Sequence, residues 1–286
     1  MQPPFPSITP TWHNDVYPAI DPSNSELSQA GKTIVITGAG SGIGRATAVA
    51  FAKAGAKRII LIGRTESNLI ETQRLFPSQT CASDVFVCSI TDEAAVKQAA
   101  SSIGSWDVLV MNAGHASLGY IITSTLADYW QNYETNVKSV VVLSQAFFPN
   151  ANPSGAAVYA LTSGALALPT KLTAGVSAYL SSKAAQAKIM EYLALENPNL
   201  FVCSIHPGMI ETKLFQASGA KAEQLPMDTV DLPAHFLVWL SQPKTKFLNG
   251  KLVWSNWDVE ELCGQSEKIE NSTMLTIGYE GWPFAA

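Results

Sequence analysis

A tyrosine and a lysine four residues apart, Tyr179 and Lys183, are the side chains of this sequence best suited to moving a proton. The segment 177–195 has a helical pattern, and positions i and i+4 of a helix lie on one face. A phenol has an ordinary pKa of about 10, and an ammonium beside it favours the phenolate and lowers that pKa. We therefore predict a proton donor and acceptor for a carbonyl or alcohol oxygen.

A glycine-rich turn earlier in the chain predicts a phosphate site. Ile34, Val35 and Ile36 form a β-branched run that is typical of a buried parallel strand. Four glycines follow within Thr37-Gly-Ala-Gly-Ser-Gly-Ile-Gly44, and a helical segment comes next. This order aims backbone N–H groups and a helix N-terminus at a phosphate, and a Cβ in the turn would keep the pyrophosphate from the backbone.

The composition argues against several other classes of protein. The 286 residues carry a net charge of −5 and only 14% charged side chains, so we expect no nucleic-acid partner. No apolar run approaches the roughly 18 residues of a membrane span, and residues 1–6 do not resemble a secretory signal. The four cysteines lack C-x-x-C spacing and no cluster has metal-ligand spacing. We expect a cytoplasmic protein that neither binds a membrane nor holds a metal ion.

Strand and helix patterns alternate along the chain, and this alternation predicts an α/β fold with a doubly wound parallel sheet flanked by helices. Buried strands are predicted at 34–36, 57–63, 85–88, 108–111, 156–161, 200–205 and 247–254. Further helices are predicted at 91–102, 127–148, 177–195 and 232–240. We expect a single domain at 32–262, with an irregular N-terminal arm at 1–31 and a C-terminal extension at 263–286.

From about residue 33 to 254 the chain resembles the short-chain dehydrogenase/reductase family. The nucleotide turn reads T-G-x-x-x-G-x-G at 37–44, and the other markers follow in the family's order: Asn112-Ala-Gly114, Asn136, Ser163, Tyr179 with Lys183, and Pro207-Gly208 with Thr212. The resemblance implies a Rossmann-type fold and a catalytic tetrad. In it, Tyr179 is the general acid and base, and Ser163 hydrogen-bonds the substrate oxygen. Lys183 tunes Tyr179 and holds the nicotinamide ribose, and Asn136 positions a water that relays protons.

The resemblance also implies a nicotinamide cofactor. The residues expected to contact it are Gly38, Gly40, Ser41, Gly42, Ile43, Gly44, Arg64, Ser89, Ile90, Asn112, Ala113, Gly114, Tyr179, Lys183, Pro207, Gly208, Ile210 and Thr212. His115 follows this set along the chain and is either a substrate contact or a surface loop residue.

The end of the second strand favours NADPH over NADH. Enzymes that use NAD usually have an acidic residue there, about 20 residues beyond the glycines, whereas this chain has Gly63. The next residue, Arg64, can donate two parallel hydrogen bonds from its guanidinium to a 2′-phosphate. The hydroxyls of Ser41 and Thr65 could donate to the same phosphate. Glu66 opposes this preference through its charge.

Two departures from the family pattern bear on the substrate. The loop 164–175 between Ser163 and Tyr179 is enlarged, and it is rich in Ala, Leu and Thr. The segment 212–231 is small and polar, as a mobile cover would be, with Leu214, Phe215 and Leu225 facing a ligand. The segment 254–262 resembles fungal members of the family that modify secondary metabolites.

These features predict an NADP-dependent ketone reductase or alcohol dehydrogenase for a bulky apolar metabolite. The alternatives are an epimerase, isomerase or cyclase of the same fold without net redox, and a catalytically inactive nucleotide-binding protein. The apolar stripes of the helices at 127–148 and 177–195 predict a homodimer or homotetramer.

Overall fold

One parallel sheet organises the part of the chain that the computed structural model describes, namely residues 3, 7–77, 81–212, 215, 222 and 226–278. Its strand order within those residues is β3-β2-β1-β4-β5-β6-β7, and every neighbouring pair is parallel. The strands are β1 Thr33–Thr37, β2 Arg58–Gly63, β3 Ala82–Val87, β4 Val108–Met111, β5 Ala156–Leu161, β6 Leu200–His206 and β7 Leu252–Trp254. This order confirms the predicted doubly wound α/β fold of the Rossmann type.

Helices cover both faces of the sheet. They are α1 Gly42–Lys53, α2 Glu66–Arg74, α3 Glu93–Ile103, α4 Leu126–Tyr133, α5 Ser139–Phe147, α6 Ser177–Glu196, α7 Asp231–Leu240, α8 Val259–Cys263 and α9 Ser266–Glu270. Strand alternation builds one apolar core on each face. Ile34 and Ile36 of β1 enter one core, whereas Val35 between them enters the other. No helix of the described residues is long and apolar enough to cross a membrane.

Three elements differ from the sequence predictions. The predicted helix at 127–148 is two helices joined by a π-helical turn at Glu134–Lys138. The strand predicted at 85–88 is present as part of β3, but the prediction that it is buried is wrong. β3 is an edge strand whose residues are half-exposed, and Val87 is 52% exposed. The strand predicted at 247–254 is shorter, because Pro243–Leu248 form a 3-10 helix.

The sequence analysis omitted helix α2. Its nine residues are mostly polar, and only Leu69 and Thr72 are buried, which leaves a weak periodic signal. This helix lies in the crossover from β2 to β3. It places Thr72 in hydrogen-bond contact with Ala39 of the glycine turn.

The N-terminal residues 7–31 lie irregularly over the domain, with short 3-10 turns at Pro18–Ile20 and Ser25–Leu27. Trp12 pairs with Trp257 in an antiparallel bridge, so the arm reaches the segment that follows β7. Trp282 and Phe284 of the C-terminal extension lie outside the described residues.

The strand order reverses between β1 and β4. In open parallel sheets, ligands bind in the crevice outside the carboxyl ends of the strands at such a switch point. The glycine turn follows β1 and Asn112-Ala-Gly114 follows β4, so the fold brings these two motifs to the same crevice.

Candidate active site

The glycine turn needs glycine at two kinds of position. Gly38 and Gly42 have φ of +67° and +51°, in the left-handed region that side chains with a Cβ rarely adopt. Gly44 has no such φ, but a Cβ on it would lie 2.4 Å from the Gly38 carbonyl oxygen and 2.5 Å from Asn112 Nδ2. The turn therefore closes tightly on itself and opens at the N-terminus of α1, whose first residues are Gly42 and Ile43.

Asn112 and Thr37 tie the end of β4 to the end of β1. Asn112 Nδ2 donates to the carbonyls of Thr37 at 2.8 Å and of Gly38 at 3.3 Å. The backbone N–H of Ala113 donates to Thr37 Oγ1 at 3.1 Å. The motif predicted to contact cofactor after β4 thus also fixes the backbone of the glycine turn.

A second set of residues supports the turn from the other side, and the sequence analysis did not identify it. Thr72 Oγ1 donates to the Ala39 carbonyl at 2.9 Å from the buried face of α2. Arg45 Nη2 donates to the Gly40 carbonyl and to Glu71 Oε2, both at 2.7 Å. Arg45 of α1 and Glu71 of α2 lie 26 residues apart, on either side of β2 in the sequence. Their ion pair could be predicted only after α2 is recognised as a helix.

Tyr179 and Ser163 lie next to each other in the folded chain. Ser163 lies two residues beyond the end of β5 and is buried, and its hydroxyl hydrogen-bonds to the Tyr179 phenol from α6. Burial raises the pKa of Tyr179 to about 12, and the Ser163 bond opposes that rise. The predicted lowering of the Tyr179 pKa is therefore wrong: desolvation outweighs the Ser163 bond, and Lys183 Nζ lies 6.0 Å from the ring centroid.

Lys183 is buried and already has partners. Its Nζ donates to the Leu161 carbonyl at 2.7 Å and to Gln186 Oε1 at 3.0 Å. Desolvation lowers the pKa of Lys183 to about 7. Gln186, which is also buried, was not predicted, although it lies on the same helix three residues further on. Nζ lies 3.5 Å from the place that a Cβ on Gly114 would take, so the ammonium borders the crevice.

Asn136 connects three parts of the site. Its Oδ1 accepts from His115 N at 2.9 Å, and its Nδ2 donates to the His115 carbonyl at 2.8 Å and to Ser182 Oγ at 2.9 Å. Ser182 Oγ in turn donates to the Tyr179 carbonyl at 2.7 Å. The π-helical turn at 134–138 holds Asn136 in this position, and such turns often mark functional sites. Both Nδ2 hydrogens and one lone pair of Oδ1 are engaged, and the predicted water-positioning role of Asn136 stays a prediction.

Arg64 and His115 lie within electrostatic reach of each other at the edge of the crevice. Burial first, and then the charge of exposed Arg64, lower the pKa of half-buried His115. Arg64 directly follows β2, and neither Ser41 nor Thr65 uses its hydroxyl as a helix cap. The three groups predicted to meet a 2′-phosphate are thus exposed and not engaged as caps.

The remaining predicted cofactor contacts lie at the ends of β3 and β6. Ser89 and Thr91 bond through their hydroxyls at 2.8 Å, and Ile90 is buried in the core. Gly208 has φ of +88°, and Ile210 is buried beyond it. Thr212 Cγ2 lies 3.4 Å from the place of a Cβ on Gly42, so the segment Pro207–Thr212 reaches the glycine turn. Leu214 and Leu225 of the predicted cover lie outside the described residues.

Residues 32–223 match the sequence profile of the family described as short chain dehydrogenase. This chain is a member of the short-chain dehydrogenase/reductase family. It is 34% identical to "Short chain dehydrogenase/reductase" from Claviceps purpurea, covering 96% of this chain and 94% of that one. It is 32% identical to "Short chain dehydrogenase/reductase AacuD" from Aspergillus aculeatus, covering 94% and 95%. The resemblance to fungal members of the family is thereby confirmed.

A solved structure supports the same assignment. L-sorbose reductase from Gluconobacter frateurii, in complex with NADPH and L-sorbose, matches with a TM-score of 0.71 and 25% identity. The match covers 80% of this chain and 96% of that one.

The crevice fits the nicotinamide cofactor that the family binds. A Cβ on Gly38, Gly40 or Gly44 would lie within 3 Å of protein atoms, so the turn keeps a bare backbone, and the N–H groups of the first turn of α1 begin there. Across the described ranges, no group of three or more His, Cys, Asp and Glu side chains is arranged to hold a metal ion.

Proposed function

We propose that this family member is an NADP-dependent ketone reductase or alcohol dehydrogenase. Its substrate is a secondary alcohol or ketone of a bulky, mostly apolar metabolite. The observation that carries the proposal is the hydrogen-bonded pair of Ser163 and Tyr179, next to buried Lys183 at the edge of the nucleotide crevice. A protein that only bound nucleotide would not need a desolvated phenol and ammonium side by side.

Bound NADPH supplies a hydride to a carbonyl carbon, and NADP⁺ accepts one in the reverse direction. A pKa of about 12 keeps the Tyr179 phenol protonated at neutral pH, so it can donate its proton to the carbonyl oxygen. The Ser163 hydroxyl donates a hydrogen bond to the charge that develops on that oxygen. The Lys183 ammonium then stabilises the phenolate that Tyr179 becomes.

The proposed preference for NADPH rests on Arg64. It is exposed beside Gly63, which replaces the acidic side chain of NAD enzymes, and its guanidinium can bind a 2′-phosphate with two N–H groups. We expect the wild type to favour NADPH over NADH by at least about tenfold in kcat/KM, roughly 1.4 kcal/mol. Arg64→Ala should lose most of this preference. Equal use of both cofactors by the wild type would contradict the assignment.

The proposed substrate class rests on the rim of the crevice. Exposed apolar side chains cluster on the loop after Gly114 and on the enlarged loop before Tyr179: Leu118, Tyr120, Ile121, Ile122 and Leu172. Ile122 is 96% exposed, and the Gly119 N–H donates to the Gly175 carbonyl at 2.8 Å, which joins the two loops. Contiguous exposed apolar surface marks a place where ligands or partners bind.

We also propose that the protein forms a homodimer or homotetramer and that it works in the reducing environment of the cytoplasm. Large apolar side chains are exposed on α4 and α6, with Trp130 54%, Tyr192 55% and Leu195 77% exposed. The thiols at Cys81, Cys88, Cys203 and Cys263 are all free. Light scattering of the purified protein should give a dimeric or tetrameric mass, and a monomer at working concentration would contradict the association.

The test of function is a set of carbonyl substrates with NADPH. Polycyclic and terpenoid ketones are compared with small aldehydes and short sugars, and cofactor oxidation is measured together with the product mass. We expect stoichiometric NADPH oxidation with the bulky ketones. Much faster turnover of small aldehydes or sugars would refute the substrate class, and isomerised product without NADPH consumption would favour an epimerase, isomerase or cyclase.

A further inference from the structure

Asp228 joins separate segments of the chain behind the crevice. Its Oδ2 accepts from the backbone N–H of Met209 at 2.6 Å, and its Oδ1 accepts from Asn14 Nδ2 at 2.6 Å and Asn256 Nδ2 at 2.9 Å. Met209 follows β6, Asn14 belongs to the N-terminal arm, and Asn256 follows β7. One half-buried carboxylate thus receives three N–H donors from three directions.

The chain around Asp228 is also paired through its backbone. Ile210 and Asp228 form a parallel bridge, and the Asp228 N–H donates to the Met209 carbonyl at 2.9 Å. A Cβ on Gly208 would lie 2.5 Å from Asp228 Oδ2. The carboxylate therefore packs directly against the turn at Gly208, and the position of the carboxylate constrains the backbone of this turn.

The N-terminal arm is fixed to the same point. The Thr229 N–H donates to the Asn14 carbonyl at 2.9 Å, and Thr229 Oγ1 donates to Asp15 Oδ1 at 2.7 Å. His13 and Asn256 exchange two further bonds of 2.9 Å, from His13 N to the Asn256 carbonyl and from Asn256 Nδ2 to the His13 carbonyl. The arm is therefore bonded to the Asp228 carboxylate through Asn14, and to the neighbouring residues Thr229 and Asn256 through the other four bonds.

We propose that Asp228 is a positioning residue that sets the course of Pro207–Thr212 and thereby couples the N-terminal arm to the cofactor site. The cofactor half of this inference rests on the proposed function, because Pro207, Gly208, Ile210 and Thr212 are the expected contacts. Three N–H donors require an acceptor-only group, which an ionised carboxylate supplies and an amide does not. In Asp228→Asn, one donor must face the new NH₂ group.

The experiment measures two quantities in the full chain. The first is hydrogen exchange of the Met209 amide in the cofactor-free protein, and the second is the dissociation constant for NADPH from protein fluorescence. We expect Asp228→Asn to raise the Met209 exchange rate and the dissociation constant by about tenfold each. Asn14→Ala should raise both by a smaller factor. The matched control, Asp21→Asn, lies in the arm, and among described residues its carboxylate hydrogen-bonds only to Ser23, so it should change neither.

Wild-type exchange at Met209 in a folded Asp228→Asn protein would overturn the inference. A weakened NADPH affinity without faster Met209 exchange would overturn it too, because the substitution would then act on cofactor binding without changing the segment Pro207–Thr212. If Asp228→Asn does not fold, Asn14→Ala decides by the same two readouts. A wild type that does not bind NADPH refutes the proposed cofactor, and the exchange rate still tests Asp228 by itself.

Discussion

Gly44→Ala introduces one methyl group at the tightest point of the glycine turn. The new Cβ would lie 2.4 Å from the Gly38 carbonyl oxygen, 2.9 Å from the Gly38 carbonyl carbon and 2.5 Å from Asn112 Nδ2. Two of these atoms are backbone, so rotation of a side chain cannot relieve the contact. The turn must widen, and Asn112 must give up its bonds to the Thr37 and Gly38 carbonyls.

Opposing terms set the size of the effect. Forcing a methyl into a closely packed site costs about 1–3 kcal/mol, and losing the Asn112 bonds costs about 1 kcal/mol more. Alanine gains about 1 kcal/mol over glycine in a helix, and Gly44 lies in the first turn of α1. We therefore expect the free energy of unfolding to fall by about 2 kcal/mol, which lowers the Tm by roughly 4 °C.

Urea denaturation and the dissociation constant for NADPH measure the result. The matched control is Gly264→Ala, at a helix end with φ of −62°, where a Cβ would lie 3.3 Å from the nearest carbonyl oxygen. We expect the control to stay within about 0.5 kcal/mol of the wild type. Gly44→Ala should also bind NADPH at least about tenfold more weakly, a loss of roughly 1.4 kcal/mol. Stability and affinity equal to those of the control would refute the reasoning.

Two further predictions concern the tetrad. Because burial lowers the pKa of Lys183 to about 7, its ammonium is lost as the pH rises through that value, and kcat/KM should decline above it. Gln186→Leu removes an acceptor for the ammonium and should shift this decline to lower pH; an unchanged pH profile would contradict the role of Gln186. Asn136→Ala leaves the N–H and carbonyl of His115 without their partner and should lower the free energy of unfolding by about 1–3 kcal/mol in urea. A wild-type urea midpoint would show that water replaces the amide.

Much of the fold was predictable because the signals are local. Runs such as Val108–Met111 are buried on both faces of a parallel sheet, so they are continuously apolar. The edge strand β3 was harder, because its apolar residues indicate burial although, in the described part of the chain, one side of the strand has no neighbour. The π-helical turn carries Asn136, whose bonds to His115 and Ser182 no helical periodicity reveals.

The candidate residues could be proposed from the sequence, whereas their electrostatics could not. Sequence spacing places Tyr179 and Lys183 on one helix face, but the bond between Ser163 and Tyr179 is visible only in the folded chain. The direction of the Tyr179 pKa depends on burial and on where Lys183 Nζ bonds, and both require the tertiary structure. Gln186 and Asp228 belong to no motif, so only the folded chain reveals their contacts.

Transfer of deuterium from NADPH in which both hydrogens of the reduced nicotinamide carbon are replaced by deuterium tests the central claim most directly. The label is followed by mass spectrometry with a bulky ketone, for wild type and Tyr179→Phe. We predict that the wild type places deuterium on the carbinol carbon. We predict that Tyr179→Phe loses at least about a hundredfold in rate while its dissociation constant for NADPH stays unchanged. Unlabelled product from the wild type, or substantial turnover by purified Tyr179→Phe, would contradict the account.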